Sequence, residues 1–388
     1  MFDIILFIAS IICSIMSQLP FFVESGSGVF LKYTWILPFF TLLFRRPQYI
    51  FSNTLLPFYS LMVIFGSYCF ICYSFSGIHY IGRDFLNICI SSMIALVSYM
   101  FWKEHGSINS MTLVVFSVLV SCVILAYVVD STYLARADIM SRVYAYKSKN
   151  SISSILYCAV ILAFFVFYVQ NKFIRISVCI FIAYLFYVIL LLRSRATIAG
   201  FAFVLYFFIF KSGSRRIKAL TIIISIAAVL AVFSIPSLYD IIVNGILFAA
   251  RDVEDFNDLT SGRTYLVSEG IEMFFKNIWF GRGNLYLDCM PLVMLVQYGV
   301  LGASVVFVFL FKIGRKINST YNMSKLTLVA FLLFYSFIIN SLFEAQPPFG
   351  PGIKCFMLWM TIGFMLAELE ERRLIANGEK SIYDMIKL

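Results

Sequence analysis

Residues 176–192 read ISVCIFIAYLFYVILLL, and Arg193-Ser194-Arg195 follow at once. Nothing in the first stretch is charged. A helix through it satisfies every backbone amide internally, which is what hydrocarbon demands of a segment of this length. The two arginines then stop the span at a membrane boundary. The same pattern recurs along the chain. Of 388 residues, 62% are hydrophobic and 13% charged, with mean hydropathy +0.93. A soluble domain is roughly a quarter charged, so lipid is the solvent that this composition requires. The apolar runs are long rather than short and alternating, which argues against a barrel.

The expected fold is therefore all-α, a polytopic helical membrane protein with about 12 transmembrane helices. The runs are 3–19, 29–44, 49–74, 84–102, 111–129, 153–169, 175–192, 197–211, 218–235, 290–311, 325–343 and 353–368. The whole chain, 1–388, reads as a single integral membrane domain. Residues 236–289 form a large, partly helical loop inserted between two spans. The first run lacks a basic segment before it and a small-residue cleavage site after it, so it does not read as a signal peptide.

Charge sets the orientation. With both termini cytoplasmic, one set of loops carries Arg45, Arg46, Lys103, Arg215, Arg216, Lys312, Arg315, Arg372 and similar residues, and the whole formal net charge of +10 falls on that side. This is the positive-inside signature, and it accounts for the basic pI without nucleic acid. Cys69 and Cys72 form a lone CxxC inside an apolar run, which reads as buried small hydrophobes. His79 and His105 fall on opposite sides, so they build no metal site. The acidic run around Asp252, Glu254, Asp255 and Asp258 is interrupted by Phe256 and lacks the glycine that a calcium loop needs.

Three outer segments depart from plain membrane filling. Residues 130–152 are polar, 236–289 are long, and 344–352 form a turn dense in Pro and Gly. Loops of such length usually cover a site. Within the long one, Val267, Ile271, Phe274 and Ile278 make one apolar stripe at helical spacing, so a helix lying along the interface is expected there. Pro291 marks the start of the next span, and Gly299 and Gly302 allow a neighbouring helix close. Arginines dominate the cations of this face. Guanidinium holds its charge when desolvated and grips phosphate with two donors. Arg193 and Arg195 thus read either as anchors to lipid headgroups or as a clamp for a diphosphate.

Certain of these residues also resemble a known family. Thr260-Ser-Gly-Arg263, the amphipathic stretch, Asn277-Ile-Trp-Phe-Gly281-Arg-Gly283, Asp288 and Tyr298-Gly299-Val-Leu-Gly302 follow one another as in the core of the O-antigen polymerase and ligase superfamily. Arg193-Ser-Arg195-Ala-Thr resembles that family's arginine-bearing segment, and Asn340-Ser-Leu-Phe-Glu344 its polymerase-type ending. The likeness covers roughly 190–370. Ile278 replaces the expected proline. Asp288 and Cys289 stand where ligases carry histidine and asparagine, which favours a polymerase.

The resemblance implies a GT-C-like, metal-independent glycosyltransferase of the bacterial inner membrane, without a cofactor, whose active site faces the periplasm. It would act in lipopolysaccharide O-antigen or other surface-polysaccharide biosynthesis. Its substrate would be an undecaprenyl-diphosphate-linked oligosaccharide, its surroundings membrane lipid, and its partner a chain-length regulator protein. Such a transfer needs cations for the leaving diphosphate, with Arg193, Arg195 and Arg263 first and Arg282 next. It also needs a carboxylate for the acceptor hydroxyl, Asp288 or Glu344, with Glu269 and Glu272 nearby on the loop helix. Tyr265, Tyr286 and Tyr298 offer faces for sugars or simply line the interface. An O-antigen ligase, a lipid-linked oligosaccharide flippase and an export scaffold are the competing readings.

Overall fold

The computed structural model describes residues 2–76, 82–134, 149–169, 172–212, 214–247, 263–282, 287–344, 347–350 and 353–378. Arg136, Arg142, Arg251, the acidic run 252–258, His79, Gly283 and Tyr286 lie outside them, as do the side chains of Arg83 and Arg263. Among the described residues every regular element is helical, in agreement with the expected class.

In chain order the helices are α1 (Phe2–Met16), α2 (Pro20–Glu24), α3 (Gly28–Lys32), α4 (Ile36–Arg45), α5 (Leu56–Ser76), α6 (Gly82–His105), α7 (Ile108–Val129) and α8 (Lys149–Val169). There follow α9 (Lys172–Leu191), α10 (Arg195–Ser212), α11 (Arg215–Ser234), α12 (Pro236–Tyr239), α13 (Arg263–Lys276), α14 (Met290–Thr320), α15 (Lys325–Asn340) and α16 (Ile353–Ala376).

The count of about twelve spans is not confirmed. Six described helices are long and apolar enough to cross a membrane, or seven if Lys218–Ser234 and Pro236–Gly245, bent by 103°, form one broken span. The shortfall falls in both halves: Phe2–Met16, Arg195–Val204 and Lys325–Asn340 are apolar but shorter helices. The run 29–44 splits into α3 and α4, and α4 has only 10 residues, about 15 Å of helix against roughly 30 Å of hydrocarbon. The run 49–74 does give a span, Asn53–Phe75, although two short 3-10 turns precede α5 at Leu56.

One continuous apolar cluster runs from α1 to α16. Aromatic rings fill it: Phe7 stacks on Phe101 at 4.2 Å, and Phe58, Phe309, Phe349 and Trp359 meet edge and face at 5.2–6.1 Å. The α8 span is the central post, with 78% of its apolar window buried, whereas α9 has 22% and turns its flank outward.

The loop helix forms as expected, but its packing face is turned. Leu266, Met273 and Phe274 of α13 press on Leu287, Leu292, Val293 and Val296. Val267 and Ile271 are exposed, and Ile278 lies beyond the helix end. The predicted stripe is thus split: Phe274 packs on the protein with Leu266 and Met273, while Val267 and Ile271 stay exposed.

Charges gather at the end of the bundle holding the first turn of α1 and the last turns of α6 and α16. Arg45 pairs with Asp3 at 2.6 Å, Arg46 with Glu104 at 2.9 Å, and Lys103 with Glu370 at 3.3 Å. Glu370 also accepts from Tyr99 at 2.6 Å and Ser52 at 2.7 Å. Glu368 takes the Arg372 guanidinium at 2.8 Å and the N-cap hydroxyl of Ser324 at 2.8 Å. Glu370 lies past the apolar run of α16. Burial pulls its pKa upward, but hydrogen bonds from Thr54, Tyr99 and Ser52 and the Lys103 charge prevail and hold it at about 2.

Candidate functional site

The opposite end is built differently. The α9 helix closes with Leu192 N–H donating to Val188 C=O at 2.9 Å and Arg193 N–H to Leu190 C=O at 3.0 Å. Arg193 then takes φ +50°, the left-handed conformation that helix ends usually give to glycine. For a residue with a Cβ this costs about 1–2 kcal/mol. The Arg193 side chain is nonetheless buried, with 5% exposure for the residue. A strained turn that inserts a guanidinium into the protein is the kind of outlier that points to function. Directly after it, Ser194 and Thr197 share a hydrogen bond at 3.0 Å, and Thr197 shares another at 3.0 Å with Ser153. These buried hydroxyls tie the starts of α8 and α10 together under the arginine.

Helices α10 and α15 run antiparallel. Phe207 meets Phe331 at 4.8 Å, and Gly200 faces the Ser336 carbonyl. One further turn along each helix sets Arg195 and Ala196 opposite Asn340 and Ser341. Asn340 is 6% exposed, and its amide oxygen has no hydrogen-bond partner among the described residues. A buried polar atom left without a partner costs about 1–3 kcal/mol. It is the natural contact for a bound polar group.

The turn after Asn340 also receives the start of α14. Met290 N–H donates to Ser341 C=O at 2.8 Å and to Glu344 C=O at 3.1 Å. Pro291 follows, as expected at a helix start. This junction holds Asp288, two residues upstream, beside the Glu344 main chain, and both residues are half-buried. The two candidate carboxylates therefore share one corner. Pro347–Gly350, the described part of the proline turn, is buried against α16, where the Trp359 indole donates to Pro348 C=O at 2.8 Å.

A third feature adjoins this corner. The α14 helix is broken at Gly299, with φ 63° and ψ −175°. Into the break comes the segment after α13: Arg282 N–H donates to Val296 C=O at 2.7 Å, and Val300 N–H to Ile278 C=O at 2.8 Å. Gly281, at φ +75°, lies so close that a Cβ would stand 2.5 Å from the Gln297 carbonyl, and a Cβ on Gly299 would strike the Trp279 carbonyl. Tyr68 from α5 donates to the Tyr298 carbonyl at 2.6 Å, satisfying an acceptor that the break releases. Gly302 packs on the Tyr68 ring, as the close approach of a neighbour required.

Backbone hydrogen bonds thus hold Asp288 and Glu344 at one junction, and the antiparallel α10–α15 pair carries Arg193 and Arg195 to the end of α15 that precedes it. Arg195 opens α10 and is exposed. Arg282 sits on the glycine seam, about 9 Å along α14 from Met290 at 1.5 Å per residue. Arg263 begins α13. Tyr298 is no sugar platform: it is fully buried, its ring 5.0 Å from Phe65 and its hydroxyl 3.3 Å from Asp84. Tyr265 remains exposed. No three His, Cys, Asp or Glu side chains gather among the described residues. Asn340 and Tyr68 were not singled out as site residues from the sequence. Asn340 carried a signal, as a lone amide ending an apolar run; Tyr68 carried none.

These features define a class, a helical membrane protein with basic, carboxylate and amide groups assembled where its spans are interrupted. Residues 180–297 match the family model described as O-antigen ligase, so the chain carries an O-antigen ligase-like domain, consistent with the O-antigen polymerase/ligase superfamily. The matched segment contains Arg193, Arg195, Arg263, Arg282 and Asp288 and ends before Glu344. No curated protein matches the chain. The family indicates polymerase- or ligase-type function, glycosyltransferase-like chemistry and lipid-linked saccharide substrates.

Proposed function

We propose that the protein is an O-antigen (surface polysaccharide) polymerase. It transfers a growing glycan from undecaprenyl diphosphate to the terminal sugar of another lipid-linked repeat. The observation that carries this reading is the buried Arg193 in its left-handed turn, just before α10, whose antiparallel partner α15 ends at Asn340.

The chemistry follows from the groups. The donor's C1–O bond breaks and its electron pair goes to the diphosphate oxygen. Arg193 meets that developing charge in a desolvated setting, where a donor is worth far more than in water, and the exposed Arg195 reaches it from the solvent side. Arg263 and Arg282 are assigned to the same diphosphate from the side of the loop helix. The acceptor hydroxyl forms the new bond to C1 and passes its proton to a carboxylate, Asp288 or Glu344. Sidedness is part of the proposal: the paired, basic end lies in the cytoplasm and the arginine corner faces the periplasm of the inner membrane. Aspartate at 288, where ligases carry histidine, favours polymerase over ligase.

The test is the lipopolysaccharide ladder of a strain lacking the gene. Core bearing a single repeat is the expected result, because export and ligation continue. Loss of every repeat would make the protein a ligase or flippase instead.

A further inference from the structure

A groove of about 440 Å³ lies between α5 and α14, away from the arginine corner. That volume falls within the range of about 300–1,000 Å³ typical of small-molecule pockets. Its walls are Asn53 in the 3-10 turn before α5, Ser60 and Ile64 on α5, and Ser304, Val308 and Lys312 on α14. The two helices run antiparallel, so Asn53 and Lys312 meet at the basic end of the bundle while Ile64 and Ser304 lie near the bilayer middle.

From Asn53 to Ile64 the groove extends about 16 Å at 1.5 Å per residue. That is close to half of the roughly 30 Å hydrocarbon layer, the depth of one leaflet. Along this length the walls are mainly apolar, and Ile64 and Val308 are exposed. At the mouth, Lys312 makes no ion pair with a described residue, and the side chains of Asn53 and Ser60 make no hydrogen bond to one. All the acids of the neighbouring ion-pair network are engaged elsewhere. An unpaired ammonium at a membrane boundary reaches toward the headgroup layer, and a basic recess between spans recognises anionic lipid heads.

We infer that this groove seats one anionic phospholipid of the leaflet at the basic end, with its phosphate against Lys312 and Asn53 and one acyl chain along Ser60, Ile64 and Val308. An isoprenoid diphosphate fits less well, since its charged head belongs at the opposite membrane face in the function proposed above. The lipid would brace α5 against α14, the helices that carry Tyr68 and the Gly299 break.

Native mass spectrometry of the full chain, titrated with phosphatidylglycerol or phosphatidylcholine, tests the seat. One phosphatidylglycerol should bind in preference to phosphatidylcholine. Lys312→Ala should weaken it about fivefold, and Val308→Trp should abolish it by filling the groove. Ser60→Leu supplies a second steric variant should Val308→Trp fail to fold. Equal retention of both lipids by the unaltered chain would overturn the inference. So would unchanged phosphatidylglycerol binding in the Lys312 variant, or recovery of an isoprenoid phosphate that the steric variants displace.

Discussion

The two ends of the bundle differ in how they hold their charged groups. At the basic end every carboxylate described above has a cation or hydroxyl within hydrogen-bond reach, and Glu370 has Lys103, Tyr99 and Ser52 together. Those contacts fasten α6, α15 and α16 to the turns before α5. At the other end a buried arginine sits in a strained turn and the buried Asn340 amide oxygen has no partner among the described residues, while between the ends α14 is interrupted at Gly299. A protein selected only for stability would remove these features, since each costs free energy. Among the described residues the paired end keeps unpartnered buried atoms too, Asp3 Oδ1 and Trp102 Nε1, but only Arg193 combines a buried charge with a left-handed backbone.

The sharpest way to break that contrast is Arg193→Ala. It should leave a folded protein and slow chain extension by about 10²–10³-fold, the usual loss for one preorganised charge-stabilising donor. Ladder length in a complemented deletion strain, read beside the protein level on a blot, gives the answer. Full extension in this variant would refute the diphosphate clamp. Asn340→Leu separates function from stability. Removing an unpartnered buried polar atom should leave thermal stability in detergent unchanged or raised, while extension falls about tenfold. A variant that is both less stable and fully active would assign Asn340 to structure.

Gly299→Ala probes the seam between the ends. A methyl there meets the Trp279 carbonyl at a positive φ. The expected cost is about 1–3 kcal/mol, seen as a lower melting temperature, and an unaltered melting curve would show that the break relaxes freely. The smallest effect concerns the paired end. Glu370 has its pKa lowered to about 2, below the ordinary value near 4.3. Its contribution is therefore present above about pH 4.3 and is lost as pH falls toward 2. Glu370→Gln should melt lower than the unaltered chain at pH 7, with the gap closing across that acid window. A gap independent of pH would mean that packing rather than charge is lost.

Much of this was legible before any coordinates. Residues 176–192 followed by Arg193 and Arg195 specify a helix that must end at a membrane boundary, because backbone hydrogen bonding and charge hydration leave no alternative. The helical class, the interface helix near 263–276, the helix start at Pro291 and the family resemblance carried by 193–302 all followed from local pattern. Where local pattern misled, the reason is physical. Hydropathy measures affinity for lipid and not length of continuous helix, so it counted 29–44 as a span although the chain turns between Lys32 and Ile36. The stripe on the loop helix shows which residues avoid water, but lipid and protein both satisfy that demand, and only packing chose Leu266, Met273 and Phe274 over Val267 and Ile271 for the protein side.

The sequence by itself determined the solvent, the helices and the residue types available for the chemistry. Only the tertiary structure decided which of them meet. Arg193, Asn340, Glu344 and Asp288 span most of the C-terminal half of the chain. The antiparallel pairing of α10 with α15 and the Met290 hydrogen bonds to the turn after Asn340 carry them to the same end of the bundle. Contacts at such separations depend on how helices pack in three dimensions, and no local spacing encodes them.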